Sequence, residues 1–475
     1  MIGIIDWLLF ILVNGLLLHA SFCLAGYLNR QGAPAAQLLV SGGIIYLAQA
    51  TVIVLFLGTV AGALNRTSVA ITALLLAAVL IFFFRRYRQP LLGSLACGLR
   101  RLLATRDIFL YFILALFLAQ AAVLFAKVAW LPPHVWDVFF YHLAPAVEWY
   151  QQGHIPLAID APARHMNHVP LGMTVLSYWF FIFFRHDVLV ELPMLLWSLL
   201  LVPLSYAILR KSEVGPAWSL KFAVLIFFIP IVLMQGISAK DHLGLNIAFL
   251  AGLFFLANYL QEREPRQLIL AALAFGLMLG YKQAAPVYII VAAVLFLMLL
   301  YQNQRQVLLD RAPRAAFLRS SAVSVLLMLL VGGYWLIKKI LVTGKFGFVT
   351  LPPPMPVSAA GEVVEKSRFG LDSLLTNLGQ FLPRVFDFSA PYGADLPNIS
   401  GFGPQFAAFG LPALLFAVVA LFRKVERRRP FYLIMAGTMT LFLLFLVSRY
   451  SNNGNSYRIL SFLPMAMIAY GAILL

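Results

Sequence analysis

Between residues 130 and 170 an otherwise apolar chain turns polar. The stretch contains Trp136-Asp137-Val138-Phe139-Phe140-Tyr141-His142, and five of the eight histidines (His134, His142, His154, His165 and His168) lie inside it. The chain is 62% hydrophobic and only 11% charged, so acids and imidazoles gathered in one segment point to a reaction centre. Two chemistries are open to such a set. A carboxylate half withdrawn from water gains proton affinity and can serve as a general base. Imidazoles can hold a divalent metal that bridges phosphate oxygens and polarises a leaving group. Spacing limits the second option, because His165-Met166-Asn167-His168 is an i, i+3 pair in a proline-flanked segment and matches no zinc signature. A divalent metal is thus the one cofactor left open, with His168 as its best ligand, against hydrogen bonding by the same imidazoles.

Such a segment needs elements to hold it, and the composition makes those elements membrane helices. A mean hydropathy of +0.90 over 475 residues is beyond what a water-soluble core needs. Apolar runs long enough to cross about 30 Å of hydrocarbon recur from end to end, and no polar block is long enough to fold by itself. The expected fold class is an all-α polytopic membrane protein. The run Ile4 to Leu28 lacks a basic leader and has Asp6 near its start, so it reads as a span and not as a cleavable signal. Two cysteines, Cys23 and Cys97, make neither a disulfide framework nor a thiolate metal site. The net charge of +17 sits in loops and not along one soluble face, which argues against nucleic acid as a partner.

The basic loops orient the chain, since loops on the cytoplasmic side retain Lys and Arg. The densest are 85–107, 302–319 and 423–429, and all three are placed inside. Thirteen transmembrane helices follow, near 5–28, 37–62, 67–84, 108–128, 187–209, 217–235, 242–260, 267–281, 284–301, 318–336, 403–422, 431–448 and 459–475, with the amino terminus outside. The run 172–184 is too short to span and precedes Arg185-His186-Asp187, so it is expected as an interfacial helix on the outer side. In this scheme residues 1–107 form amino-terminal helices and a basic cytoplasmic loop. Residues 108–336 form a catalytic membrane core with a first outer loop at 129–171, 337–402 a long outer loop, and 403–475 the carboxy-terminal helices. Polar chemistry then segregates to one face, which receives 129–171, Ser238-Ala239-Lys240-Asp241-His242, the turn at Lys282, the segment 337–402 and the stretch Arg449 to Arg458.

In their order these segments resemble the C-type superfamily of polyprenyl-phosphate-sugar-dependent membrane glycosyltransferases, which includes protein O-mannosyltransferases and lipid A aminoarabinose transferases. The resemblance runs from about residue 108 to the end. Asp137 with Tyr141-His142 is similar to an Asp that opens the first outer loop in a D-x3-YH setting. His168-Val169-Pro170-Leu171-Gly172 resembles the H-P-P-L-G segment with Val169 in place of the first proline, and Lys240-Asp241 resembles the second outer-loop acid. Gly280-Tyr281-Lys282 is similar to a G-x-K turn, Gly401-Phe402-Gly403-Pro404 to a G-F-G-P segment, and Arg458 in Ser456-Tyr457-Arg458-Ile459-Leu460 to an R-Y-L-x-P start of a late span.

The resemblance implies inverting transfer of a sugar from a polyprenyl-phosphate donor to a lipid, glycan or protein acceptor, in a bacterial inner membrane with the site facing outward. Such a reaction needs a base at the acceptor hydroxyl and positive charge at the departing phosphate. Asp137 is the expected base; its other reading is a cap for residues 138–144. Asp241 is expected to bind acceptor or metal, or else to cap the span that follows, with Lys240 as a point charge for phosphate. Lys282 lies between two runs with almost no loop, where a cation must find an anion or water, so it is read as a phosphate ligand or as snorkelling to the interface. Arg458 carries the same two readings. Tyr141, His142 and His168 are expected to touch substrate. A flippase or transporter is a second class of function, though transport sites usually lie near the midplane on broken helices. A glycan polymerase or ligase is a third, and it would call for outer arginine clusters that this chain places inside.

Overall fold

Every described segment of secondary structure is helical. The computed structural model describes residues 2–133, 135, 138–159, 167, 169–344, 374–375, 377–379, 381, 383, 401–447 and 460–475, with backbone alone at 99, 101–103, 140, 141 and 343. The helices are α1 Ile4–Leu28, α2 Ala35–Leu55 continued by a π turn to Val60, α3 Arg66–Phe84, α4 Leu91–Ala104, α5 Ile108–Trp130 and α6 Ala144–Gln152. They continue with α7 Gly172–Phe184, α8 Leu192–Lys211, α9 Pro216–Phe227, α10 Pro230–Gln235, α11 His242–Glu262, α12 Arg266–Tyr281 and α13 Ala285–Gln304. The last are α14 Gln306–Leu309, α15 Arg311–Gly332, α16 Tyr334–Thr343, α17 Phe406–Ala420, α18 Tyr432–Val447 and α19 Phe462–Leu474.

The chain is a multi-pass membrane protein. Its long helices turn apolar side chains outward: Ile71, Leu75 and Phe82 on α3, and Phe109, Phe112 and Leu118 on α5, are more than half exposed. Only a hydrocarbon solvent accepts such a surface over whole helices. Among the described residues eight helices are long and apolar enough to cross by themselves, and six apolar helices are shorter. The thirteen expected spans correspond to those eight plus five of the short ones, so helix length leaves the count of thirteen unestablished. The expected span 217–235 is interrupted, because Pro230 pushes Ile229 out of helical conformation (φ −59°, ψ 126°) and divides α9 from α10.

Contacts sort the helix ends into two sets. At the basic end Lys221 pairs with Asp107 at 2.6 Å, Lys211 with Glu262, the Arg266 guanidinium donates to the Tyr27 carbonyl at 2.8 Å, and Gln89 donates to the Arg30 carbonyl at 3.0 Å. At the opposite end Arg66 pairs with Asp6 at 2.6 Å, and the α6 terminus is tied to the turn after α2 by Ile155 N–H to the Gly58 carbonyl, 2.8 Å, and Leu64 N–H to the Gly153 carbonyl, 2.7 Å. This is the alternation of direction that the charge pattern predicts. Local signals agree. Asn65 caps α3 and Asp107 caps α5, each at 3.0 Å, and Gly153 closes α6 with φ 70°.

Helix α7 departs from expectation. An interfacial helix keeps one wet face, yet all thirteen residues of α7 are buried, against α1, α2, α6, α8 and α12. Its start meets Gly280 and its end stacks Phe184 on Trp7 at 4.6 Å, both towards the end opposite the basic loops. The helix therefore does not cross, as its length requires, but it is sunk into the bundle because its surface offers lipid headgroups almost nothing polar.

Packing relies on small residues where helices cross, as expected where lipid removes any apolar driving force between helices. A Cβ on Gly172 would lie 2.5 Å from the Gly280 carbonyl oxygen, and one on Gly332 would collide with the Gly276 carbonyl. These contacts clamp α7 and α15 to α12.

The two-ended arrangement is checked by labelling. Cys97, exposed on α4, should react with an impermeant maleimide only from the side of the basic loops, buried Cys23 from neither, and a Gly62→Cys variant only from the opposite side. Reaction of positions 97 and 62 from one side would refute the topology.

Candidate functional site

The polar segment after α5 is built as a short wall. Val138 N–H bonds to the Val135 carbonyl at 2.9 Å, a π turn covers Val138–Leu143, and Pro145 leads α6. Asn167 closes the far side by bracketing the Ile159 backbone, accepting from its N–H at 2.7 Å and donating to its carbonyl at 2.8 Å. His142 is buried, with Nδ1 3.0 Å from the Thr174 hydroxyl at the start of α7.

A second wall comes from the turn between α10 and α11. Lys127, near the end of α5, pairs with Glu191 at the start of α8 and also donates to the Ile237 carbonyl at 2.8 Å. Burial pushes the Glu191 carboxyl above the usual carboxylate range, and the Lys127 ammonium opposes that rise. The two walls touch through a small cluster of Val135, Val138 and Ala239. Val135 and Val138 therefore pack against Ala239, the residue before Lys240.

Asp241 occupies the cap position just before α11 but makes no side-chain cap hydrogen bond. Its Oδ1 lies 2.8 Å from Lys282 Nζ and 3.9 Å from His242 Nε2. Lys282 sits where α12 ends in extended backbone, and a third of its side chain is exposed. Asp241 thus makes no side-chain cap, and Lys282 is paired with an acid. Lys240 is buried at 3% exposure. Gly172, the last residue of the His168 segment, meets Gly280 of the Gly280-Tyr281-Lys282 turn, which brings two sequence motifs into backbone contact.

Asp137, His168 and Arg458 lie outside the described residues, and of Tyr141 only the backbone is described. Among the described residues no three His, Cys, Asp or Glu side chains converge as metal ligands. Trp130 is 80% exposed, as a membrane-belt residue would be, whereas Trp149 and Tyr178 are core residues.

Several residues escaped the sequence reading. Lys338 on α16 is 2% exposed, and its Nζ has no hydrogen-bond partner among the described residues. It sits 5.5 Å from the centre of the Trp335 ring, and Trp335 stacks on Trp149 at 6.3 Å. Both indole N–H groups are buried and unpartnered among the described residues, as is the whole side-chain amide of Gln235. Gly280 faces Trp335, which puts that indole beside a residue two positions along the chain from Lys282. Buried donors without acceptors are costly and mark places where a structure awaits something else. A usable signal existed for Lys127 and Lys338, which are cations within or beside apolar runs.

The fold is similar to that of the crystal structure of ArnT from Cupriavidus metallidurans in the apo state. The TM-score is 0.50 at 18% sequence identity, over 76% of this chain and 59% of that one. The crystal structure of the Archaeoglobus fulgidus oligosaccharyltransferase in the apo form also matches, with a TM-score of 0.40 at 14% identity, over 76% of this chain and 50% of that one. The chain thus spans about half to three fifths of the length of these two proteins. No protein-family model and no curated protein matches it. The likeness is one of fold, and it gives the chain the ArnT-like helical architecture that its motifs imply.

Burial lowers the Lys338 pKa to about 8 from 10.5, partly offset by the Glu148 carboxylate. Between those two values the unfolded chain holds a proton that the folded chain releases, so stability should rise with pH across that window. Below about 8 both states are protonated and the full burial penalty, about 3 kcal/mol, applies. Lys338→Met should therefore raise the thermal midpoint most below pH 8 and flatten its pH dependence, as read by thermal unfolding in detergent.

Proposed function

We propose that this chain is an integral membrane glycosyltransferase. It would move a sugar, with inversion, from a polyprenyl-phosphate donor to a lipid, glycan or protein acceptor, on the face opposite the basic loops. The observation that carries this reading is the packing of Val135 and Val138 against Ala239, together with Asp241 held to Lys282 at 2.8 Å. Ionisable groups are costly at the edge of hydrocarbon, and several placed together at one end of a bundle fit a reaction on a charged, lipid-borne substrate.

In this mechanism Asp137 accepts the proton of the acceptor hydroxyl as its oxygen bonds to the anomeric carbon. The bond from that carbon to the phosphate oxygen breaks on the opposite side, and the electron pair leaves with the polyprenyl phosphate. Configuration at the anomeric carbon is inverted. Negative charge grows on the departing phosphate, and fixed cations in a water-poor site stabilise it most. Lys282, held in place by Asp241, and Lys338, which lacks an acid within hydrogen-bonding reach, supply that charge. Lys240 and Arg458 are assigned to the same phosphate, while His142, Tyr141 and His168 line the sugar. Asp241 positions Lys282 and, through it, the donor. Asp241 and Lys282 lie at helix ends, whereas a transporter would place its ionisable residues near mid-depth.

Asp137→Asn keeps the shape of the carboxyl but cannot take the proton, so transfer from a polyprenyl-phosphate sugar should fall by about 100-fold or more in a stably inserted protein. Full activity in that variant removes the base assignment. Lys282→Ala should raise the donor KM more than it lowers yield of inserted protein, with partial recovery in Lys282→Arg; an unchanged donor KM would take Lys282 out of the phosphate site.

A further inference from the structure

The basic end of the bundle contains a cleft of about 310 Å³ that the transfer reaction does not use. Its sides are the last turns of α11 and α13, contributing Leu260, Gln261, Gln302 and Asn303, and its rim is the turn before α18 that carries Arg427, Arg428 and Arg429. The walls are fixed to one another, because the Gln304 amide donates to the Leu260 carbonyl and Asn303 donates to the Arg427 carbonyl at 3.5 Å. Arg429 is engaged by Glu426 at 3.4 Å, while neither Arg427 nor Arg428 has an ion pair among the described residues.

We propose that this cleft binds a phosphate-bearing anion, such as the headgroup of an anionic phospholipid in the adjoining leaflet. Three observations converge on that chemistry. The first is guanidinium forks, whose planar donors match phosphate oxygens. The second is the amides of Gln261, Gln302 and Asn303, which can donate to the remaining oxygens. The third is the apolar wall of Ala257, Leu260, Leu299 and Leu433, against which the root of an acyl chain can lie. Basic clefts between helices on this side of a membrane protein are the form that anionic headgroup sites take. Orientation of the chain requires only that arginines stay on this side, and exposed Arg423 and Lys424 already do so. It does not require Arg427 to Arg429 to curl over a cleft.

The test uses full-length protein in nanodiscs of phosphatidylcholine, titrated with phosphatidylglycerol or with inorganic phosphate, and reads the thermal midpoint. Phosphatidylglycerol should raise it, and the apparent affinity should weaken by about tenfold or more in Arg427→Gln/Arg428→Gln. It should stay unchanged in Arg423→Gln/Lys424→Gln. If the glutamine pair does not insert, Arg427→Lys/Arg428→Lys keeps the orienting charge, loses the fork, and should also weaken the titration. Equal protection by inorganic phosphate supports the cleft with a soluble occupant. Two results would overturn the proposal: no protection by either anion beyond phosphatidylcholine, or equal loss in the Arg423/Lys424 variant. Sugar transfer is not the readout, so this result stands apart from the assignment at the other end.

Discussion

The pair between Lys127 and Glu191 sets where everything around it can lie. At the edge of hydrocarbon, water cannot compensate an isolated ion, so a charge there has to be met by another element. Lys127 meets two, the head of α8 through Glu191 and the turn after α10 through the Ile237 carbonyl. Three segments distant in sequence are thereby pinned to one place, and that place is the floor of the site. Removing either partner would leave the other charged and buried, which is far more damaging than the pair is stabilising.

The same rule explains the layout above the floor. Asp241 and Lys282 satisfy each other across α11 and α12, so neither is free to drift into lipid. Lys338 breaks the rule, being buried beside an aromatic ring without a hydrogen-bonding acceptor. A bundle that satisfies most of its ions and leaves one cation and two indole donors open at the same end is stable at some cost, and functional sites are where such costs are usually kept.

Much of this was legible in the sequence. Charge asymmetry between loops gave the alternation of helix ends, because topogenic arginines act locally and leave a readable count. The same topology put Asp241 and Lys282 on one face, but their pairing at 2.8 Å was not read from it. Hydropathy was blind to two features. It could not tell a short interfacial helix from a buried one, since α7 differs from the former only in what surrounds it. It also read 217–235 as one span, because Pro230 adds little to a hydropathy sum yet stops a helix outright. The orphan donors at Trp149, Trp335 and Gln235 had no signature at all, since an indole or amide is unremarkable until its surroundings withhold an acceptor.

Helix α7 has a consequence for how the protein is made. Its walls include α1 and α2, which precede it, but also α8 and α12, which follow, and its first residue is clamped only when Gly280 arrives. The chain emerges in order at about 5–20 residues per second, so roughly 5–20 seconds of synthesis separate Phe184 from Tyr281. Throughout that interval a thirteen-residue apolar helix is complete but has only half a home. It is too short to rest across the bilayer and too greasy to wait in water. Biogenesis of this protein therefore includes a stage in which the insertion machinery, or the membrane surface, must hold α7 until its second half-socket is delivered.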